Sequence, residues 1–248
     1  VFLLPILLCG YFAFARALFR SGTVALLSTI LLFLCFGGLS RGQLRMVGYP
    51  LYVAFQFYLV ALYFLFRHLE NGRSKFLVAG AAVGSMVAVV HIYYFVQLMA
   101  AVGAFFAFSF LFRRDDRRTV WAAAKMGLLT LVFSAPLLVL RYALSYEIAN
   151  PFDMQERHLL YLTDAIRVSN PLEAWRFLGP IGLLAYAAIP FLFRRARESA
   201  GIMFLFSAMV ATPLILLNPL AVEALGRVMT FGLVRRFVLL APYIAVPG

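Results

Sequence analysis

The stretch FLVAGAAVGSMVAVVHIYYFVQLMAAVGAFFAFSFLF, from Phe76 to Phe112, contains no Asp, Glu, Lys or Arg. Its 37 residues would form a single helix of about 55 Å at about 1.5 Å per residue. The hydrocarbon core of a bilayer is only about 30 Å thick. The stretch therefore predicts two short apolar helices that turn near His91.

The composition of the whole chain points to lipid as its solvent. Apolar residues make up 64% of the 248 residues and charged residues only 13%, whereas roughly a quarter of the residues in soluble domains are charged. Too few polar residues remain to cover a surface that faces water. The composition excludes a soluble protein and predicts an integral membrane protein, with membrane lipids and no nucleic acid as partners. Neither Cys9 nor Cys35 has a partner at metal-ligand spacing, so we expect no metal and no cofactor.

Apolar runs punctuated by short basic clusters recur along the chain. They predict an all-α, polytopic transmembrane bundle of about eight spans plus a truncated ninth from Phe237. The eight runs are Val1–Phe19, Thr23–Leu39, Pro50–Phe66, Phe76–Val90, Tyr93–Phe112, Val120–Leu140, Trp175–Phe193 and Ala200–Leu217. We interpret residues 1–248 as a single transmembrane domain. Because the chain opens inside one apolar run and closes in a run too short to span, we expect it to be a fragment of a longer protein.

The distribution of Lys and Arg predicts the orientation. Thirteen of the 22 basic residues fall in short connections on one side, where the positive-inside bias acts most strongly. We place that set in the cytoplasm: Arg16, Arg20, Arg67, Arg73, Lys75, Arg113, Arg114, Arg117, Arg118, Lys125, Arg194, Arg195 and Arg197. With the predicted spans, we expect a multi-pass protein of the cell inner or plasma membrane.

The outer side carries the long segments, chiefly residues 141–174 and 218–236. Asp153 followed by Glu156 is typical of a capping box and predicts a short helix through Val168. Asn170-Pro171 and Asn218-Pro219 each place a capping residue before a Pro suited to the first helical turn. The segment from Pro219 to Leu233 suits a helix lying flat in the interface. We therefore expect interfacial helices on the outer face, where loops on a rigid scaffold carry function.

Several acidic residues have an ordinary structural interpretation. The outer carboxylates would cap helices or lie on solvated faces, and they are Glu147, Asp153, Glu156, Asp164 and Glu173. Asp115-Asp116 is bracketed by four arginines, which favours a salt-paired loop over a metal or catalytic pair. Gly80 and Gly84, with Ala88 one turn further, form a small-residue stripe that predicts close helix packing in lipid.

His91 and a group of outer arginines are the candidates for function. An ionisable group at membrane depth is costly and points to function, although His91 next to Tyr93 and Tyr94 also suits an aromatic belt. Arg227, Arg235 and Arg236 could bind phosphate bidentately or reach up to lipid headgroups. Both alternatives stay open for each of these residues.

The layout resembles the GT-C membrane glycosyltransferases. The similarity rests on spans with short basic cytoplasmic turns, on the Gly-rich short helix that ends in a His (Gly80 to His91), and on Leu-Val-Arg-Arg-Phe before a last span that contains Pro. It covers most of the chain. It implies a cell-envelope transferase that moves a hexosyl or pentosyl group from a polyprenyl-phosphate-linked sugar on the extracytoplasmic face.

The resemblance also implies roles for particular residues. His91, Arg227, Arg235 and Arg236 would bind the lipid phosphate of the donor. The family's acidic catalytic residue lies in a first outer loop, which would fall upstream of Val1, so the sequence offers no catalytic residue here. A transporter or flippase and a non-catalytic membrane scaffold subunit are the alternatives, although the central spans hold few ionisable groups for a transport pathway.

Overall fold

The computed structural model describes residues 3–35, 50–143, 159–163, 166–172, 182–228 and 234, and most of them are helical. The helices are α1 (Leu3–Phe19), α2 (Gly22–Cys35), α3 (Pro50–Asn71), α4 (Ser74–Val90), α5 (Ile92–Phe112), α6 (Arg117–Ala143), α7 (Ile189–Arg195), α8 (Ala200–Leu216) and α9 (Pro219–Val228). Between α6 and α7, β1 (Leu159–Tyr161) pairs antiparallel with β2 (Arg167–Ser169), with Leu160 opposite Val168.

Short polar signals set where the helices begin and end. Gly72 ends α3 with a φ of 71°, and its N–H donates to the carbonyl of His68 at 2.7 Å, which is the left-handed cap that glycine favours. The hydroxyl of Ser21 accepts the N–H of Val24 at 3.3 Å and begins α2. Ser199 likewise accepts the N–H of Ile202 at 3.2 Å and begins α8. These turns are only a few residues long, so consecutive helices fold back on each other.

Two glycines let α4 approach its neighbours closely. A Cβ added at Gly80 would lie 3.0 Å from Met126 Cε on α6 and 3.1 Å from Phe64 Cβ on α3. At Gly84 it would lie 3.0 Å from Thr130 Cγ2 on α6. The predicted small-residue packing of α4 is confirmed, because these positions hold helices at a separation that a larger side chain would prevent.

Aromatic rings join α1, α3, α5 and α8 in the centre of the molecule. Phe14, Phe66, Phe105 and Phe204 are all buried, and most of their contacts are edge-to-face, with Phe66 and Phe204 5.4 Å apart. The first turn of α8 touches the end of α1, since an added Cβ at Gly201 would collide with the Leu18 carbonyl oxygen. The core therefore consists of helix–helix contacts.

The turns that carry the basic residues lie together at one end, which we call the basic end. It comprises the α1–α2, α3–α4, α5–α6 and α7–α8 turns. Arg20 Nε lies 4.0 Å from Glu70 Oε1, and Arg118 Nη2 donates to the carbonyl of His68 at 3.0 Å. The rings of Phe112 and Phe193 are 5.8 Å apart, which joins the α7–α8 turn to the α5–α6 turn. We call the opposite end, where α4 ends and α5 begins, the far end.

The prediction of eight spans plus a truncated ninth is wrong for the part of the chain described here. Only α5 (Ile92–Phe112) and the Arg117–Leu140 part of α6 are long and apolar enough to cross a membrane, and a third span exists only if α8 and α9 count as one. Short breaks divide the apolar sequence into pieces such as α4, with 17 residues. At about 1.5 Å per residue, such helices fall short of a core about 30 Å thick. The ninth run, from Phe237, lies outside the described residues.

The predicted helical fold holds for most of the described residues, but the outer segment 141–174 contains a small β-hairpin that was not predicted. The short helix predicted from Asp153 through Val168 is replaced at its C-terminal part by β1 and β2, and its first residues lie outside the described ranges. The turn is held by Thr163, whose Oγ1 accepts the N–H of Ile166 at 3.1 Å. In the described part of the predicted span Trp175–Phe193, the helix over residues 182–187 is separated from α7 by a turn at Ala188 before Pro190.

Candidate functional site

His91 stands alone between two helices. Its backbone is extended, with φ −160° and ψ 109°, so it ends α4 and precedes α5 without belonging to either. The His91 N–H donates to the carbonyl of Val87 at 2.9 Å, and its own carbonyl accepts the N–H of Phe95 at 3.3 Å. The helix break predicted at His91 is confirmed.

Aromatic side chains fix the imidazole of His91. Its ring lies 6.1 Å from that of Tyr93 and 6.1 Å from that of Tyr94, both edge-to-face. Tyr94 continues to Phe55 at 5.6 Å and to Tyr58 at 6.3 Å, which attaches the group to α3. Such edge-to-face pairs favour one ring orientation. The tyrosines are buried and His91 is half-buried, so part of this residue reaches the surface at the far end.

The helix α9 leaves the bundle at a sharp angle. It bends by 85° from α8, and Asn218 begins it by accepting the N–H groups of Leu220 at 2.9 Å and Ala221 at 3.3 Å through Oδ1. Leu220 is 81% exposed whereas Val222 is fully buried, so α9 has one packed side and one exposed side. The capping role predicted for Asn218 is confirmed, and so is that of Asn170, whose Oδ1 accepts the N–H of Leu172 at 3.0 Å.

Helix direction puts His91 and the start of α9 at the same end. Leu18, near the end of α1, lies against Gly201 at the start of α8. Phe14, one turn earlier in α1, packs against Phe204, about one turn later in α8, with ring centroids 6.5 Å apart. The two helices therefore run antiparallel, and α8 begins at the basic end, where α1 ends. The 17 residues of α8 carry the chain about 25 Å from the basic end at about 1.5 Å per residue, so α9 begins at the far end.

Sequence reasoning missed one cation at the far end. Arg167 lies on β2, with its guanidinium carbon 5.8 Å from the centre of the Tyr161 ring, and β2 packs against α9. The available signal was the alternation of Ile166 and Val168 around Arg167, which is typical of a strand with one buried side. The capping pattern at Asp153 favoured a helix instead and concealed it.

The predicted phosphate-binding residues are only partly described. His91 is at the far end, and Arg227 belongs to the last turn of α9. The side chain of Arg227 lies outside the described part of the chain, as do Arg235 and Arg236 entirely. The structure therefore brings His91, β2 and the helix that carries Arg227 to one end, and the role of the arginines stays a prediction.

The acidic pair at the basic end has a structural role. Asp116 accepts the N–H of Thr119 at 3.1 Å and its hydroxyl at 2.7 Å, and its carboxylate pairs with Arg113 at 2.8 Å. Asp116 thus caps the first turn of α6 and confirms the interpretation of a salt-paired loop. Among the described residues, no three His, Cys, Asp or Glu side chains come together as metal ligands would.

Comparison with known protein families, with characterised proteins and with solved structures found no match for this chain. The functional argument therefore depends on the geometry of the far end and on the chemistry of its side chains.

Proposed function

We propose that this chain is the membrane part of a glycosyltransferase-like protein that binds a polyprenyl-phosphate-linked sugar at its far end, on the extracytoplasmic face. Sugar transfer from that donor would be the activity of the whole protein. The proposal concerns donor binding and assigns no catalytic residue. Two helices that could cross a bilayer, α5 and α6, follow each other through a four-residue turn, Arg113–Asp116, which favours a multi-pass protein of the inner or plasma membrane.

One observation carries the proposal. The antiparallel packing of α1 and α8 puts His91 and the start of α9 at one end and gathers the basic turns at the other. If the basic end faces the cytoplasm, as the positive-inside bias predicts, the far end faces outward. A polyprenyl-linked donor on the outer face would then meet His91, Arg167 and the helix that carries Arg227.

The chemistry of these groups suits a lipid phosphate. An arginine at the interface reaches a phosphate without crossing hydrocarbon, and its planar guanidinium matches two phosphate oxygens at once. The sharply bent α9, with Leu220 exposed, has the form of a helix that lies along an interface. Its position would fix the height of Arg227 and of Arg235 and Arg236 shortly after it.

Sugar transfer by arginine variants tests the proposal. The measurement is transfer from a polyprenyl-phosphate sugar by membranes that contain the full-length protein, normalised to the amount of folded protein. Arg235→Lys and Arg236→Lys keep the charge but lose the bidentate geometry. A hydrogen bond to a charged partner contributes about 1.5–3 kcal/mol, so each variant should lose about tenfold to a hundredfold in rate.

Arg20→Lys is the matched control, since Arg20 is 69% exposed at the basic end. The Arg20→Lys protein should transfer sugar at the wild-type rate. Wild-type rates in both Arg235→Lys and Arg236→Lys would refute phosphate recognition by these residues. Absence of transfer by the wild-type protein from every polyprenyl-phosphate sugar supplied would refute the transferase activity itself.

A further inference from the structure

The helix α6 buries unusually little of its surface. Along one side, Trp121 is 61% exposed, Leu128 63% and Val132 57%. Residues three and four positions apart share a helix face, so Arg117, which is also exposed, joins this row one turn before Trp121. Toward the basic end this side changes from apolar residues to a tryptophan and then an arginine, in the order in which a membrane changes from hydrocarbon to headgroup.

Lys125 interrupts the apolar row and is exposed. It lies one turn beyond Trp121, in the direction away from the basic end. Helical side chains lean toward the helix N-terminus, and α6 begins at the basic end. The Lys125 side chain can therefore lay its carbon stem along the helix and carry its ammonium back toward Arg117, as lysines do at membrane interfaces.

Lys75 on α4 belongs to another surface. The contacts of Gly80 with Met126 and of Gly84 with Thr130 show that α4 and α6 run parallel, with a constant offset along the chain. Lys75 and Trp121 each lie five positions before these contacts, which turns both side chains away from the α4–α6 interface in opposite directions. Lys75 is exposed, and its ammonium lies 5.6 Å from the centre of the Phe76 ring.

The acidic residues at the basic end do not neutralise these cations. Three of the four carboxylates there already pair with an arginine close by in sequence, as Glu70 does with Arg67, Asp116 with Arg113 and Glu198 with Arg195. Within the described residues, none of the ion pairs involves Lys75, Arg117 or Lys125. Positive charge therefore adjoins an exposed apolar face.

We propose that Arg117, Trp121 and Lys125 on α6 bind the headgroup of an anionic phospholipid whose acyl chains lie along the exposed side of α6. Cations near an anionic leaflet attract its lipids, and Trp121 suits the interface between headgroup and hydrocarbon. Charge favours lipid over a second copy of the chain on this face. A copy in the same orientation would bring its own basic end to the same height and repel the first. This inference does not depend on the proposed function.

Quenching of tryptophan fluorescence tests it on the full chain in nanodiscs. The chain contains two tryptophans, so Trp175→Phe leaves Trp121 as the only tryptophan, which is excited selectively over tyrosine. The discs contain phosphatidylcholine with a small, equal mole fraction of either brominated phosphatidylglycerol or brominated phosphatidylcholine. We expect brominated phosphatidylglycerol to quench Trp121 several-fold more efficiently than brominated phosphatidylcholine.

Charge variants then identify the site. Lys125→Gln should reduce the preference for the anionic lipid by about fivefold, as expected for one cation near a charged membrane surface, while Lys125→Arg should retain it. Arg117→Gln gives a second, independent change on the same face. Arg20→Gln removes a cation from the α1–α2 turn and should leave the preference as it is.

Three results would overturn the inference. Equal quenching by the two lipids would show that the site does not prefer an anionic headgroup. A preference that survives both Lys125→Gln and Arg117→Gln would locate the lipid elsewhere. Absence of quenching by either lipid, together with two copies of the chain per disc, would show that a second copy covers α6.

Discussion

The substitution of glycine by alanine should have opposite effects on the stability of the fold at two positions in the bundle. Gly201 lies in the first turn of α8, where a new Cβ would meet the carbonyl oxygen of Leu18. That oxygen belongs to the backbone of α1 and cannot rotate away, so α8 must shift from α1. Gly103 lies inside α5, and a new Cβ there would meet nothing within 4 Å.

The expected magnitudes follow from these surroundings. Overpacking against a rigid neighbour costs about 1–3 kcal/mol, and occasionally more, so Gly201→Ala should destabilise the fold by at least about 2 kcal/mol. Inside a helix alanine is preferred over glycine by about 0.8–1.0 kcal/mol, so Gly103→Ala should stabilise it by up to about 1 kcal/mol. For a chain of this size, 1 kcal/mol corresponds to about 2–4 °C in Tm.

Thermal unfolding of the purified protein in one detergent measures both variants. We expect Gly201→Ala to lower Tm by about 4–10 °C and Gly103→Ala to raise it by up to about 4 °C. A Gly201→Ala variant as stable as the wild type would refute the close contact of α1 and α8. Shifts of the same sign in both variants would show that backbone freedom, and not helix packing, decides the outcome.

Three further predictions concern the turns. Asp116→Ala removes a cap and an ion pair and should cost about 1–2 kcal/mol in unfolding free energy, while Asp115→Ala should stay within about 0.5 kcal/mol; equal losses would refute the capping role. Asn218→Ala should speed amide exchange at the start of α9 about fivefold, as expected for a lost cap of about 1 kcal/mol, and unchanged exchange would contradict it. Single cysteines are placed at Ser74 and at the 70% exposed Leu172, in a background free of other cysteines. They should react with an impermeant reagent from opposite sides of the membrane, Leu172→Cys from outside. Labelling of both from one side would refute the orientation.

The turns of the bundle could be predicted from the sequence because their causes are local. The break at His91 follows from the length of the uncharged stretch, and the caps at Asn170 and Asn218 follow from short side chains before proline. The close packing at Gly80 and Gly84 follows from side-chain size alone. Each of these features depends on a few neighbouring residues.

The number of spans could not be predicted in this way. An apolar side chain such as Phe105 or Phe204 suits lipid and suits a helix–helix contact equally well, and here both rings are buried in the core. Hydropathy therefore counts α1, α2 and α4 as spans, although α4 and the described parts of α1 and α2 are shorter than a bilayer core. Contacts between distant segments decide which helices are long enough and which faces stay exposed.

Only part of the candidate site could be predicted, because its other part also depends on contacts between distant segments. His91 stands out in its sequence because it is ionisable and surrounded by apolar residues. Arg167 does not, because its importance depends on the pairing of β1 with β2 and on the packing of β2 against α9. A local capping pattern at Asp153 and Glu156 outweighed the weaker alternation in the strand.

Photochemical labelling by a polyprenyl phosphate tests most directly whether the far end holds a lipid-linked phosphate. The full-length protein in nanodiscs is exposed to a polyprenyl phosphate with a photoreactive group near the phosphate, and in parallel to the corresponding polyprenol, which lacks the phosphate. Mass spectrometry of the digested protein locates the attached lipid. We predict labelling on α9 or next to His91, at least tenfold stronger with the phosphate than with the alcohol. Labelling at the basic end, or equal labelling by the two lipids at the far end, would contradict the proposal.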